Sequence, residues 1–325
     1  MRVCVVGAGV TGLTCAIRVA EAGHSVHIVA ARPAAESVSA VAAALWFPYR
    51  AFPQERVLTW SMTSLRIFAA LADSPETGVA MRYGTELHRH AKPDLWWAEQ
   101  LTDITRLDGG DLGAVTAVNP DILGGLRARL PIIVMSRYLS WLEQRCAALG
   151  VRGSVAHLDS LADADPSADA LVLAVGLGAE ELVADSAMRP IRGQVVRLAN
   201  PGLTDWLLDE HEPSDFCYVI PRYDDVVCGG TAEVGQSSLE PDMDTEVAIL
   251  GRARRLVPAL ADAPILSRAV GLRPGRKEVR LERCDDLDPS GRPVVACYGH
   301  GGAGVTMSWG CADEVAALLD TAVER

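Results

Sequence analysis

The chain has 325 residues, 49% of them apolar, with a formal net charge of −12. That length admits two structural domains, or one large domain with an insertion. The acidic balance and the lack of any Lys/Arg cluster exclude a nucleic-acid groove, and the apolar runs break off too soon to span a bilayer. The eight cysteines stand singly, with no Cys-x-x-Cys pair, and read as free thiols of a reducing compartment. Met1 leads straight into a strand pattern, leaving no room for a signal peptide, and Ala322-Val-Glu-Arg325 carries no peroxisomal address. The expected location is therefore cytoplasmic, with no membrane and no nucleic-acid partner.

Arg2-Val-Cys-Val-Val6 reads as a short buried strand, followed by the turn Gly7-Ala8-Gly9-Val10-Thr11-Gly12. An amphipathic helix covers about Leu13 to Ala22, Gly23 stops it, and His24 to Val29 is the next strand. A strand–turn–helix–strand unit of about 30 residues is the context in which Gly-x-Gly-x-x-Gly marks a dinucleotide site. Gly7 permits the tight turn, Gly9 admits a pyrophosphate, and Gly12 lets the helix pack on the strand. The acid that usually ends the second strand is missing: Ala30, Ala31 and Arg32 stand there, and Glu36 lies off the strand end. Backbone or water is left to hold the ribose.

Ser37 to Tyr49 is a run of small residues that either lets a flat ligand approach or starts a tightly packed helix. Arg56 to Leu71 is expected to be a helix, Tyr83 to Trp97 part of a sheet, and Gly109 to Asn119 a loop or short strand. Leu130 to Met135 reads as a strand, Arg137 to Leu149 as a helix, and Val151 to Val155 as a strand. Ala168 to Val175 is a buried strand ending in Gly176-Leu-Gly178, as suits the second half of a doubly wound sheet. Strands follow at Gly193 to Leu198, Phe216 to Pro221 and Val226 to Thr231, then a helix at Thr245 to Leu256. Ser267 to Arg273 and Val279 to Glu282 are short strands before the last unit.

That unit is the strand Pro293 to Cys297, the turn Tyr298-Gly-His-Gly-Gly-Ala-Gly-Val-Thr306 and a helix over Val305 to Leu319. Glycines in such a turn let a ligand reach the backbone and the helix N-terminus. The two glycine turns are read as holding one dinucleotide between them. Cys297 and Cys311 flank the second turn; they are taken as buried packing residues, with a disulfide as the alternative. His300 is taken to hold the turn by hydrogen bonds, not to act as a base. The seven histidines are scattered and lack zinc-binding spacing, so no metal is expected.

Four further clusters stand out. They are Ala44-Leu-Trp-Phe-Pro-Tyr49, Tyr218-Val-Ile-Pro-Arg222 with Gly229-Gly-Thr231, Gly271-Leu-Arg-Pro-Gly-Arg276 with Arg280-Leu-Glu282, and Trp309-Gly-Cys-Ala312. With the last turn they resemble the D-amino-acid oxidase family of FAD flavoproteins, from the first strand to the last helix. The resemblance implies an α/β fold: a Rossmann-like FAD-binding domain of discontinuous segments, 1–48, 136–190 and 266–325. Into it is inserted a mainly antiparallel α+β substrate-binding domain, 49–135 and 191–265. It implies non-covalent FAD at the first turn (Gly7, Ala8, Gly9, Val10, Thr11 and Gly12) and at Arg32, Ser37, Ala43, Ala44, Leu45, Trp46, Val155 and Gly176. The remaining FAD contacts are Arg273, Gly301, Gly302, Ala303, Gly304, Val305 and Thr306.

The same resemblance makes Arg273 the clamp on a substrate carboxylate, a role that suits the two parallel N–H groups of a guanidinium. Tyr218 would donate its hydroxyl to that carboxylate, and Gly302 would offer its carbonyl to the substrate amino group. No side chain serves as acid or base. The family's second tyrosine is absent: Ser214 and Ala232 occupy the two places where members carry one, and Tyr49 and Arg222 are the stand-ins. Arg276 and Arg280 are structural or line the flavin edge. The implied reaction is hydride transfer from the α-carbon of a D-amino acid to flavin, giving a 2-oxo acid, ammonia and, from molecular oxygen, hydrogen peroxide. Neutral, apolar side chains should be preferred. Alternatives are a glycine- or sarcosine-oxidase-like enzyme, a D-aspartate oxidase, or a non-catalytic flavin-binding protein; a nicotinamide dehydrogenase would need no second glycine turn. A homodimer is compatible with this reading.

Overall fold

The computed structural model describes residues 1–209 and 216–323, so Ser214 lies outside the described residues. In chain order, β1 is Arg2–Val6, α1 Val10–Glu21, β2 Ser25–Ala30, α2 Val38–Val41 and α3 Gln54–Leu71. Then come β3 (Val79–His88), β4 (Ile104–Asp108), α4 (Ala114–Val118), β5 (Gly124–Ile133), α5 (Met135–Ala148) and β6 (Arg152–Val155). Next are β7 (Ala170–Leu173), α6 (Ala179–Leu182), β8 (Arg189–Ala199), β9 (Trp206–Asp209), β10 (Cys217–Pro221) and β11 (Asp225–Gly229). The chain ends with β12 (Glu233–Val234), α7 (Met243–Leu256), β13 (Ile265–Gly275), β14 (Arg280–Arg283), β15 (Val294–Tyr298) and α8 (Gly304–Val323).

Contacts divide the chain into two units, residues 1–78, 135–190 and 273–325 in the first, and 79–134 and 191–272 in the second. The first unit carries a six-stranded sheet in the order β14-β15-β7-β1-β2-β6. All its pairings are parallel except β14 with β15. The central strands β7 and β15 are buried throughout, which is why they read as unbroken apolar runs and not as alternating ones. On α1, Val10, Leu13 and Ile17 recur every three or four residues and are buried together on one face.

Residues 49–78 were expected in the inserted domain but belong to the first unit. The reason is the packing of α3 on α8. Trp60 Nε1 donates to Glu314 Oε2 at 2.7 Å, and Arg56 pairs with the same carboxylate at 2.5 Å. The pattern of α3 shows an apolar face but carries no signal of the helix that covers it.

The second unit is a nine-stranded sheet in the order β12-β8-β11-β10-β9-β3-β5-β4, with β13 on β8. Its pairings are antiparallel except β3 with β9, which is parallel. One face carries α7, whose Ile249, Leu250 and Ala253 pack with Val196, Leu198, Cys217 and Val219. Several expectations shift here. The strand expected at Leu130 to Met135 begins at Gly124, the stretch Gly109 to Asn119 holds the short helix α4, and β3 ends at His88 rather than reaching Trp97. The strands β4, β9 and β12 were not anticipated. Among the described residues no helix is long and apolar enough to cross a membrane.

Candidate active site

The first glycine turn is built by close backbone approach. Gly7 has φ +113°, and Gly7 N–H donates to Val29 O at 2.8 Å, tying the turn to β2. A Cβ on Gly12 would stand 1.9 Å from Gly7 O, so only glycine lets α1 start this close to β1. Gly9 differs: a Cβ there would meet only Ser39 Oγ, at 3.3 Å. It is also the N-cap of α1 and gives that helix no side-chain cap. The open side of the turn thus faces a helix N-terminus with uncapped N–H groups, the donor set a pyrophosphate needs. One of those groups, Val10 N–H, is taken by Ser39 Oγ at 3.1 Å. Ser39 was missed in the sequence because its partner lies 29 positions away.

Around this turn, Arg32 is exposed, and Val155 at the end of β6 is exposed as well. Ser37 Oγ donates to Ala34 O at 2.6 Å, and Gly176 opens a short helical turn with φ +55°. Ala43 is half-buried, Ala44 and Leu45 are buried, and Ala44 has the left-handed φ of +57°. An alanine in that region carries local strain of the kind that clusters at ligand sites. Trp46 is fully buried and its Nε1 donates to Ser61 O at 2.9 Å, so what it can offer a cofactor is backbone, not ring. Thr306 likewise has its hydroxyl committed: it accepts from Phe47 N–H at 3.1 Å and donates to Phe47 O at 3.0 Å. That reciprocal pair fastens the 44–47 loop to the start of α8.

In the second glycine turn, Gly301 N–H donates to Pro274 O at 2.9 Å and Ala303 N–H to His300 O at 3.0 Å. Both donors are used up within the protein, so a ligand meets these two residues through carbonyls or Cα edges. Gly304 and Val305 begin α8. Gly302 sits where a side chain would not fit: a Cβ there would be 2.8 Å from Tyr49 Cδ1 and 3.6 Å from Arg273 Cδ. The structure therefore brings three of the four expected substrate contacts, Arg273, Tyr49 and Gly302, to one place in the first unit. Arg273 comes from β13, Tyr49 from the loop before α3, and Gly302 from the turn before α8.

Tyr218 lies in the second unit. Cys217 and Val219 point into the α7 core, so alternation sends Tyr218 to the opposite face of the sheet. Its ring crosses the neighbouring strand at Gly229, where a Cβ would stand 2.2 Å from the ring Cζ. This explains why a glycine faces the tyrosine in the Gly-Gly-Thr segment. The cations considered for a second substrate charge are committed to carboxylates. Arg222 forms a fork with Asp225, and Arg276 Nε donates to Asp185 at 3.2 Å. Glu233 pairs with Arg192 at 3.1 Å.

Asp185 is the hub of a network that the sequence did not reveal. It accepts from Tyr298 OH at 3.0 Å, from Arg276 and from Arg280 Nη1 at 3.3 Å, while Arg280 also donates to Tyr298 OH at 2.8 Å. Burial alone would raise the Asp185 carboxyl, but the Ala187 N–H, the Tyr298 hydroxyl and the Arg276 charge outweigh it and hold it below the usual range. The Tyr298 phenol is pushed up to about 12, chiefly by burial. Arg276 and Arg280 are thus structural, one of the two roles expected for them. His300 is buried, and burial lowers its imidazole to about 4, so it stays neutral. Its carbonyl holds the turn as expected, but its ring lies against the Cys297 sulfur, 3.9 Å from Nε2.

A parallel sheet whose first strand runs into a phosphate-ready glycine turn, with a second glycine turn opening the last helix, is the architecture of a dinucleotide-dependent enzyme. The chain belongs to the DAO family of FAD dependent oxidoreductases, whose family model matches residues 2–318. It is 45% identical over 323 residues to the D-amino-acid oxidase of Rubrobacter xylanophilus, covering 99% of this chain and 97% of that one. It is 41% identical to the D-amino-acid oxidase of Streptomyces coelicolor, covering 98% and 96%. Among solved structures it is similar to glycine oxidase from Geobacillus kaustophilus, with a TM-score of 0.81 at 19% identity, covering 98% of this chain and 95% of that one. The uncapped N-terminus of α1 and the room above Gly9 fit the FAD that the family binds.

Proposed function

We propose that this chain oxidises D-amino acids with neutral, apolar side chains to 2-oxo acids, releasing ammonia and reducing molecular oxygen to hydrogen peroxide. The grouping of Arg273 and Tyr49 at Gly302, in a chain 45% identical to a D-amino-acid oxidase, supports this reading most strongly. The Gly7–Gly12 turn and the backbone of the 43–46 and 301–306 segments hold the cofactor. When bound, FAD supplies the two-electron acceptor for the hydride that leaves the substrate α-carbon. Arg273 grips the carboxylate through two parallel charge-assisted hydrogen bonds. The Gly302 carbonyl accepts from the amino group. With both polar groups fixed, only one face of the α-carbon can present its hydrogen, so L-amino acids should be inert. Orientation in a dry site is the chain's main contribution, and no acid or base side chain is required. We also assign the chain to the cytosol, on the strength of its eight free thiols.

Substrate choice follows from charge and room. An acidic D-amino acid carries a second carboxylate and needs a second cation, yet Arg222 and Arg276 already serve Asp225 and Asp185. Ala232 leaves volume where family members carry an aromatic ring, and each added buried CH₂ contributes about 0.8 kcal/mol. D-Valine, D-leucine, D-methionine and D-phenylalanine should therefore be turned over, with little activity on D-aspartate or D-glutamate. Peroxide release measured side by side decides the matter: a higher kcat/KM for D-aspartate than for D-valine would overturn the assignment. Glycine and sarcosine belong in the same panel, because the likeness to a glycine oxidase is one of fold.

The cofactor should be held without a covalent bond, since the contacts proposed for it are to backbone and no sequence motif singles out a Cys or His for attachment. Acid precipitation should leave all the yellow colour in the supernatant. Flavin that stays with the washed pellet would contradict this.

A further inference from the structure

Three elements of the first unit bring soft ligands together behind the second glycine turn. Cys297 lies in β15, His300 in the turn, and Cys311 in α8. The two thiol sulfurs and an imidazole nitrogen all lie within 4.8 Å of one another, and all three residues are buried. Cys15 of α1, also buried and free, interacts with Cys297. Neither glycine turn uses these side chains, and the expected flavin contacts do not include them.

We propose that Cys297, His300 and Cys311 form a buried site for one zinc ion. Three points carry this. A tetrahedral zinc ion with two sulfurs and a nitrogen at its usual bond lengths places S and N about 3.6 Å apart. The Cys297 sulfur and His300 Nε2 are 3.9 Å apart, so little movement is needed. The ring's only hydrogen-bond partner among the described residues is that sulfur, a weak arrangement for a fully buried imidazole. Finally, charge balances: Zn²⁺ displaces the thiol protons of Cys297 and Cys311, two protons leave for water, and the site of two thiolates, one imidazole and one dication is neutral. A neutral site avoids the cost of burying an uncompensated charge. Two of the ligands bracket Gly301 and Gly302, so the ion would pin the turn from behind.

The experiment reads metal, not turnover. Holoenzyme produced in zinc-supplemented medium is passed over a chelating resin and analysed for elemental zinc. About one ion per wild-type chain is expected, and none in a Cys297→Ser/Cys311→Ser variant. Zinc near zero in the wild type, or equal zinc in the variant, overturns the proposal. So does an intact mass two hydrogens short, which would mean that the sulfurs form a disulfide instead. Should the variant fail to fold, cobalt(II) loaded into the wild type serves instead. A difference spectrum against the cobalt-free holoenzyme should show thiolate charge transfer and tetrahedral bands. Six-coordinate cobalt alone would refute the site.

Discussion

Arg273→Ala is expected to lower kcat/KM for D-valine by about 10- to 150-fold while the purified protein stays yellow. The range corresponds to about 1.5–3 kcal/mol for the loss of a charge-assisted contact. Flavin should be retained because the contacts proposed for the cofactor are mainly to backbone at both glycine turns. The fold should persist because Arg273 is half-buried at the end of β13 and not part of a packed core. Arg273→Lys separates charge from geometry. A lysine restores the charge but not the fork, so it should recover only part of the loss. Wild-type activity in the alanine variant would overturn the assignment of the carboxylate to Arg273.

The second large effect sets Gly12 against Gly9. Gly12→Ala places a Cβ 1.9 Å from one backbone atom and 2.8 Å from another. Backbone cannot swing aside as a side-chain end does, so α1 must shift off β1. Alanine's better helix propensity returns at most about 1 kcal/mol, and overpacking of this kind costs about 1–3 kcal/mol or more. The variant should therefore lose both stability and flavin. Gly9→Ala meets only Ser39 Oγ at 3.3 Å. It should fold normally and lose flavin alone, because the added methyl stands where the phosphates approach. The comparison is a melting temperature taken on flavin-free protein, which removes the stabilisation that bound cofactor would add, together with flavin retained on purification. Equal stability of the two apo variants would show that the steric argument for Gly12 is wrong.

The parts legible in the sequence were those whose logic is local. Gly7 to Gly12 stands between a strand and a helix, and the reason for each glycine is found within a few positions or in the adjoining strand. Arg273 and Gly302 were singled out through motif resemblance, and Tyr49 as a stand-in for the family's second tyrosine; the structure brings the three together at Gly302. What stayed hidden depends on distant partners. Ser39 supplies its hydroxyl to Val10, and Asp185 gathers Tyr298, Arg276 and Arg280 from the far end of the chain. Cys297, His300 and Cys311 meet only because β15, the turn and α8 bring them together. Helix α3 went to the wrong unit because amphipathicity reveals a buried face but not its cover. Strands β4 and β9 escaped because Ile-Thr-Arg-Leu-Asp and Trp-Leu-Leu-Asp are short and end in turn-favouring acids.

The strand order β14-β15-β7-β1-β2-β6 also bears on how the chain is made. During synthesis β1 can pair at once with β2, but its other neighbour is β7, where Val3 meets Ala170. The strand beyond β7 is β15, with Val294 against Leu171. The first glycine turn therefore leaves the ribosome long before the strand that carries the second. Until β15 and α8 have emerged, β7 has a bare edge and the second glycine turn is not in place. Contacts this remote in sequence form slowly, and unpaired edges invite aggregation meanwhile. The sheet of the first unit is thus completed late, once β15 has emerged to cover β7.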